Sequence, residues 1–339
     1  MNGYLMINYE LIRTEAELES LSGEWNALLA ESAIHVPFLR HEYLNTWWQT
    51  RGGGEWPDDA RLAVVAARRD GQLIGLAPFF QATNRDSRPA LLLLGSIEIS
   101  DYLDVISRPA DLEAFLGGLL PFLAEADLPR WDLFDGYNFL EDSPTLPHLE
   151  RAARGLGWEY TVERLQHSPH IPLPGDWETY LAGIDKKQRH EVRRKMRRLE
   201  AADVPTRWYI VSDGADIDAE ADAFLELMSQ DPEKQSFLTE RMRRQMRESI
   251  RTAFEQGYLQ LAFLEINGEK AAAYYNFDYE NRIWVYNSGI DNRFREYSAG
   301  WVLTGYLLQW ANENKRAEFD FLRGDEEYKY RFGAVDRYV

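Results

Sequence analysis

The chain contains no cysteine. That removes disulfides, thiolate nucleophiles and every zinc site that needs a thiolate, while leaving the redox compartment open. Long apolar runs are also missing: the longest aliphatic stretch is residues 91–94, far short of the roughly 20 residues a membrane-crossing helix needs. Basic residues are few relative to acidic ones, 38 against 56, giving a net charge of −18. Such a field disfavours nonspecific binding to nucleic acid or to anionic membrane. No His-Glu-x-x-His, no Gly-x-x-x-x-Gly-Lys-Ser/Thr, no Gly-x-Gly-x-x-Gly and no Gly-x-Ser-x-Gly occurs, which argues against zincin, ATP, dinucleotide and serine-hydrolase chemistry. The close pair His167 and His170 has a proline between its members and no carboxylate nearby in sequence, so no metal site is expected. The opening residues lack a charged, apolar and small-residue secretory pattern, and the cytoplasm is the expected compartment.

What is present is globular. At 339 residues and 45% hydrophobic, the chain has material for about two domains. Apolar residues at three- and four-residue steps predict a helix over 15–30, and an aromatic-rich helix follows Pro37. The three glycines at 52–54 read as an exposed loop. Residues 62–67 and 73–79 flank Asp70-Gly71, and 259–266 and 270–277 flank Asn267-Gly268; both predict β-hairpins. Short strands are predicted at 91–95, 102–106 and 131–134, with helices at 111–126 and 146–156. Extended stretches at 158–165 and 170–173 close the first half. The second half reads as helices at 177–181, 187–201, 218–229, 240–256 and 300–314, with strands at 206–211, 283–287 and 318–322.

The halves repeat. At an offset of 188, Gly117, Leu119, Leu120, Glu125, Asp132 and Gly136 recur as Gly305, Leu307, Leu308, Glu313, Asp320 and Gly324. Each half runs helices, antiparallel hairpin, strand, helix, strand. The expected fold is therefore α+β, an α/β mixed sheet in each of two tandem domains, 1–170 and 171–339. In the second half a strand leads through Asn287-Ser288-Gly289 towards a helix beginning near Gly300, and a helix start with outward-facing amides suits a phosphate.

Arg295-Glu-Tyr-Ser298-Ala299-Gly300 resembles the pyrophosphate loop of the GNAT acyltransferases, with Ser298 in place of the first glycine of that pattern. The wider set resembles the tandem-GNAT family of CelD-like acetyltransferases, related to the Fem-type, tRNA-dependent aminoacyl transferases. It comprises Ser100-Asp-Tyr-Leu-Asp104, the basic segment 186–198, Tyr286-Asn-Ser-Gly289 and the run from Phe319 to Gly333. The resemblance implies two GNAT-like domains, each a mixed, mostly antiparallel sheet flanked by helices. It also implies acetyl-CoA or another acyl-CoA as co-substrate in the second domain, and a link to polysaccharide biosynthesis. The first domain, with Ser107-Arg-Pro-Ala-Asp111 at the equivalent loop, is expected to bind no CoA.

Acyl transfer requires phosphate anchoring, polarisation of the acyl oxygen and proton removal. Arg295, Ser298, Ala299 and Gly300 are the candidates for the first, and the backbone of Asn287, Ser288 and Gly289 for the second. Glu326 is the candidate base, its pKa raised by burial. Tyr328 is the candidate acid, and Lys329 the holder of an acceptor or oxyanion. The acceptor expected is an amine or hydroxyl of an amino sugar, glycan precursor or small molecule. The basic segment reads either as an amphipathic helix burying Val192, Met196 and Leu199 or as an anion-binding face, with tRNA as partner only under the Fem-type alternative. Trp47, Trp48 and Trp56 read as core or as a sugar-stacking platform.

Overall fold

The computed structural model describes residues 6–339, which divide into one unit ending at Leu165 and including Val339, and a second, Gln166–Tyr338. The elements of the first unit are β1 (Ile7–Ile12), α1 (Glu15–Ser20), α2 (Ser22–Leu29), α3 (His41–Gly54), β2 (Arg61–Leu62), β3 (Val64–Arg69) and β4 (Gln72–Ala77). They continue with β5 (Phe79–Thr83), β6 (Pro89–Leu93), β7 (Ile106–Ser107), α4 (Leu112–Glu125), β8 (Leu133–Phe134) and α5 (Thr145–Gly155). The sheets run β1-β3-β4-β7 and β2-β5-β6-β8.

Two of the expected strands are each cut in two. The first breaks at Ala63 and the second at Pro78, and each half joins a different sheet. Pro78 has no N–H for a ladder, which suits a strand changing sheets. The helix expected over 15–30 is also interrupted, at Leu21. Of the strand expected over 102–106 only Ile106 is regular, in the two-residue β7, and Tyr102 to Val105 are buried without ladder pairing. The glycine run is not an exposed loop: Gly52 and Gly53 are buried, and Arg51 to Gly54 all have positive φ. A Cβ at Gly52 would stand 2.9 Å from Trp47 Nε1, so this left-handed turn requires glycine.

The second unit contains β9 (His170–Pro172), α6 (Trp177–Gly183), α7 (Lys186–Glu200), β10 (Thr206–Ile210), α8 (Ile217–Met228), α9 (Pro232–Phe237) and α10 (Glu240–Glu255). After these come β11 (Leu259–Ile266), β12 (Glu269–Tyr279), β13 (Arg282–Ile290), α11 (Ala299–Glu313), β14 (Glu318–Asp320) and α12 (Glu327–Arg331). Its single sheet runs β10-β11-β12-β13-β14-β9, antiparallel except for the parallel pair β13–β14. The stretch at 170–173, read as closing the first half, instead supplies β9, antiparallel to β14.

Both hairpins turn as the sequence predicts. Asp70 and Gly71 have φ of 53° and 81°, Asn267 and Gly268 of 55° and 76°, the left-handed pair whose twist matches that of the flanking strands. The helices α4 and α11 follow equivalent strands, and each leads to a strand parallel to an earlier one, β8 with β6 and β14 with β13. The second core is built from Val192, Met196 and Leu199 of α7, Val302, Leu303, Leu307 and Leu308 of α11, and inward residues of β11 to β14.

Candidate active site

The candidate site lies where β13 and β14 part. They pair only through Arg282–Glu318, Ile283–Phe319 and Trp284–Asp320, so beyond Trp284 one edge of β13 is open. A register shift between Tyr275 and Asn276 on β12 falls at the same level, and such a bulge bends and re-aims a strand. Past Ile290 the chain makes a 3-10 turn, Asn292–Tyr297, and enters α11 through Ser298.

Ser298 takes the left-handed conformation, φ 55° and ψ 45°, at the position where the GNAT pattern has glycine, and its side chain does not cap the helix. The N–H groups of Ala299, Gly300 and Trp301 therefore have no intrahelical acceptor, and the positive end of a 15-residue helix dipole stands behind them. A Cβ at Gly300 would lie 2.4 Å from Ile290 Cδ1, the end of a side chain that can turn aside. Arg295 is exposed and joins no ion pair among the described residues, whereas Arg293 is engaged by Asp291 and Glu269.

Gly289 has a packing reason of its own. A Cβ there would stand 2.5 Å from the backbone nitrogen of Met228 and 2.6 Å from the carbonyl carbon of Leu227. The close approach is that of the end of α8. Ser288 faces the open side: its N–H donates to Asn287 Oδ1 at 2.8 Å, and its carbonyl accepts from Lys234 Nζ at 2.6 Å. Lys234 also donates to Asn287 Oδ1 at 3.0 Å.

The segment after β14 brings the acid–base candidates to this opening. Tyr328 is partly buried, and its hydroxyl is bonded to that of the buried Tyr274. Tyr274 lies 2.8 Å from Thr304 Oγ1, which lies 2.9 Å from the carbonyl of Gly300. A Thr hydroxyl has one proton, so Thr304 shares it between the Tyr274 hydroxyl and the Gly300 carbonyl, both within its reach, while Tyr328 donates to Tyr274. Burial pushes both phenols up, Tyr328 well above its ordinary range with Tyr274 and Glu326 adding to the shift.

Glu326 is not buried as expected. It precedes α12 with its side chain 59% exposed, 2.8 Å from Lys329 Nζ. Lys329 is the buried member, 3% exposed, and its ammonium also donates to the carbonyls of Arg323 and Gly324 at 3.0 and 2.9 Å. With three acceptors on its three N–H donors, Lys329 holds the loop that carries Glu326 rather than reaching an open site. Asp320 is fully buried, accepting from the N–H of Leu322 and from Arg337.

Three participants were not anticipated: Lys234, Tyr274 and Thr304. Tyr274 reads in sequence as one more aromatic of a strand, and Lys234 as one more surface cation. Desolvation lowers the pKa of Lys234, opposed by Asp231 and Glu326.

The basic helix α7 buries Val192, Met196 and Leu199 as its stripe predicts. Arg193 pairs with Glu178, Arg194 and Lys195 with Glu191, and Lys195 Nζ lies 4.1 Å from the ring centre of Trp301. Lys186, Lys187, Arg197 and Arg198 are exposed and in no ion pair among the described residues. In the first unit, Trp47, Trp48 and Trp56 are 0%, 2% and 5% exposed and pack on Phe80, which is the core reading. A pocket of about 690 Å³ there is lined by Arg13, Arg51, Arg61, Trp48 and Gln81 among others. No helix among the described residues is long and apolar enough to cross a membrane.

Residues 186–330 match the family model described as Acetyltransferase (GNAT) domain. No curated protein matches the chain. Among solved structures, the crystal structure of FemX is similar over 96% of this chain and 94% of its own, with a TM-score of 0.67 at 12% identity. A conserved protein of unknown function from Bacteroides thetaiotaomicron VPI-5482 is similar over 98% of each chain, with a TM-score of 0.57 at 16% identity. The structure of L-PGS from Bacillus licheniformis covers 93% of this chain and 89% of its own, with a TM-score of 0.54 at 14% identity. At these identities the likeness is one of fold.

Proposed function

We propose, for a chain whose residues 186–330 match the GNAT acetyltransferase domain, that the second unit transfers an acetyl or longer acyl group from acyl-CoA to an amine or hydroxyl acceptor. The observation that carries this reading is the open start of α11 immediately beyond the parting of β13 and β14. Uncapped amides and a helix dipole provide for a pyrophosphate, and Arg295 adds an unpaired cation. The acyl group would then lie along β13. Glu326, exposed to an incoming acceptor, takes the acceptor's proton, and Tyr328 returns one to the departing thiolate. Lys329 sets the position of Glu326.

The first unit, in this reading, binds no CoA. Its equivalent helix α4 begins after Asp111, whose carboxylate is held 2.7 Å from Arg69 at the place a phosphate would need. The acceptor class is an amino sugar, glycan precursor or small amine, and the compartment is the cytoplasm.

Titration calorimetry with acetyl-CoA tests the reading. Saturable binding at one site per chain is expected, weakened about tenfold or more by Arg295→Ala and abolished by Ser298→Glu. Absence of binding to the unaltered protein overturns it.

A second reading, Fem-type transfer of an aminoacyl group from tRNA, is favoured by the likeness to FemX and by the unpaired Lys186, Lys187, Arg197 and Arg198 on α7. Binding of aminoacyl-tRNA that is lost when these four are reversed to glutamate, without acetyl-CoA binding, would select it.

A further inference from the structure

The polar groups at the open edge of β13 are arranged around one oxygen. Asn287 Oδ1, an sp2 amide oxygen, accepts the Ser288 N–H at 2.8 Å and the Lys234 ammonium at 3.0 Å. Both donors converge on this oxygen at a level of β13 that lies beyond its last pair with β14, Trp284–Asp320. An acyl carbonyl is also an sp2 oxygen, and the same two donors suit it.

The charge of Lys234 makes this more than a structural tie. Its ammonium is part-buried and bonded to three neutral acceptors, Asn287 Oδ1, Ser288 O and Ser288 Oγ. It forms no ion pair among the described residues; the carboxylates that act on it, Asp231 at the start of α9 and Glu326 before α12, do so only through space. A desolvated cation without a counterion is a costly arrangement for stability alone. It becomes favourable when negative charge develops beside it, which is the condition of an oxyanion site.

We infer that Lys234 Nζ and the Ser288 N–H together form the oxyanion site of the second unit, with Asn287 Oδ1 as the internal occupant that an acyl oxygen replaces. The inference rests on the acyl-CoA reading above and adds a charged donor to it. In the step, the acceptor's lone pair forms the new bond to the carbonyl carbon while the C=O π pair moves to oxygen, where Lys234 and Ser288 hold it. The pair returns as the C–S bond breaks and its electrons leave with the thiolate. The acceptor's proton passes to Glu326, and the thiolate takes a proton from Tyr328. Lys234 keeps its proton throughout.

The test is difference infrared spectroscopy of acetyl-CoA labelled with ¹³C at the carbonyl, bound to the full chain, alongside its Kd and the rate of thiol release by hydrolysis without acceptor. In the unaltered protein the bound C=O band should move to lower wavenumber. Lys234→Met should abolish most of that shift and slow thiol release about 10²–10³-fold, with Kd nearly unchanged because the pyrophosphate loop is intact. Lys234→Gln, which keeps a neutral donor and guards against a folding defect, should give an intermediate shift. Asn287→Ala should keep or enlarge the shift, since the competing oxygen is gone. An unshifted band in the unaltered protein, or the same band and rate in both Lys234 variants, overturns the assignment while leaving acyl-CoA binding standing. Absence of binding overturns the acyl-CoA reading and this assignment with it.

Discussion

Asp104 Oδ1 accepts a 2.5 Å hydrogen bond from the hydroxyl of Thr145, the residue that opens α5. Its second oxygen accepts from Ser143, and the N–H of Val105 adds a third donor. The carboxyl is fully buried, and burial outweighs these bonds, raising its pKa to about 7. The folded chain thus holds a proton that the unfolded chain releases near the ordinary pKa of about 3.9. The stabilisation is complete below that value and is lost as pH rises to about 7, at up to ~1.4 kcal/mol per pH unit. Calorimetric unfolding should show the first unit melting at lower temperature at pH 7.5 than at pH 5, and Asp104→Asn should flatten the dependence.

Gly289 and Gly300 predict unequal costs. Alanine at 289 meets backbone atoms of Leu227 and Met228, which cannot move without shifting α8. A loss of about 3 kcal/mol is expected. Alanine at 300 meets only the end of Ile290, a side chain 39% exposed and able to turn outward, and about 1 kcal/mol or less is expected. Denaturant unfolding of the two variants decides whether the close approach at 289 is structural.

Ser298 occupies left-handed backbone without using its hydroxyl as a cap. Ser298→Gly should be neutral to about 1 kcal/mol stabilising, relief of the left-handed strain outweighing glycine's greater freedom in the unfolded chain. Ser298→Val should lose about 1–2 kcal/mol. Thermal melts measure both, and acetyl-CoA binding should persist in the glycine variant.

Removing the Tyr328 hydroxyl should slow turnover about 10²-fold with little change in acetyl-CoA affinity, as for loss of an acid. Tyr274→Phe should have a smaller effect, since it deletes the next link and leaves Tyr328 able to donate elsewhere. The comparison is made by thiol release, across pH. Equal rates in the unaltered and Tyr328→Phe proteins would return Tyr328 to the core.

Lys329→Met should destabilise by about 2 kcal/mol, because it leaves two part-buried carbonyls and Glu326 without their donor. Acetyl-CoA binding at Arg295 and α11 should survive at low temperature. Loss of turnover with binding intact is the expected pattern in calorimetry and thiol release.

What could be read ahead of the structure follows the range of the forces involved. Asp70-Gly71 and Asn267-Gly268 were legible because two adjacent positive φ angles are a local demand. The α7 stripe was legible because Val192, Met196 and Leu199 recur at the helical period. The division of strands at Ala63 and Pro78 depends on which sheet each half finds, and that is tertiary. At the candidate site, Ser298 and Gly300 carried a pattern of their own. Lys234 did not: it lies in a six-residue helix with no buried residue, and its acceptors are 53 and 54 residues away. The exposure of Glu326 departs from the expectation, and Lys329 is the buried partner because the loop carbonyls of Arg323 and Gly324 take its ammonium.

The place of β9 bears on how the second unit can be separated from the rest. Residues 186–330 include β14 but not its outer neighbour β9, from 170–172, nor Val335, which bridges to His170 on β9. A fragment cut to those limits would carry β14 as a bare edge, with unpaired backbone groups beside Phe319 and Phe321. Such an edge invites a second fragment to add its own strand. The excised domain should therefore self-associate, and one beginning at Gln166 and running to Tyr338 should stay dispersed.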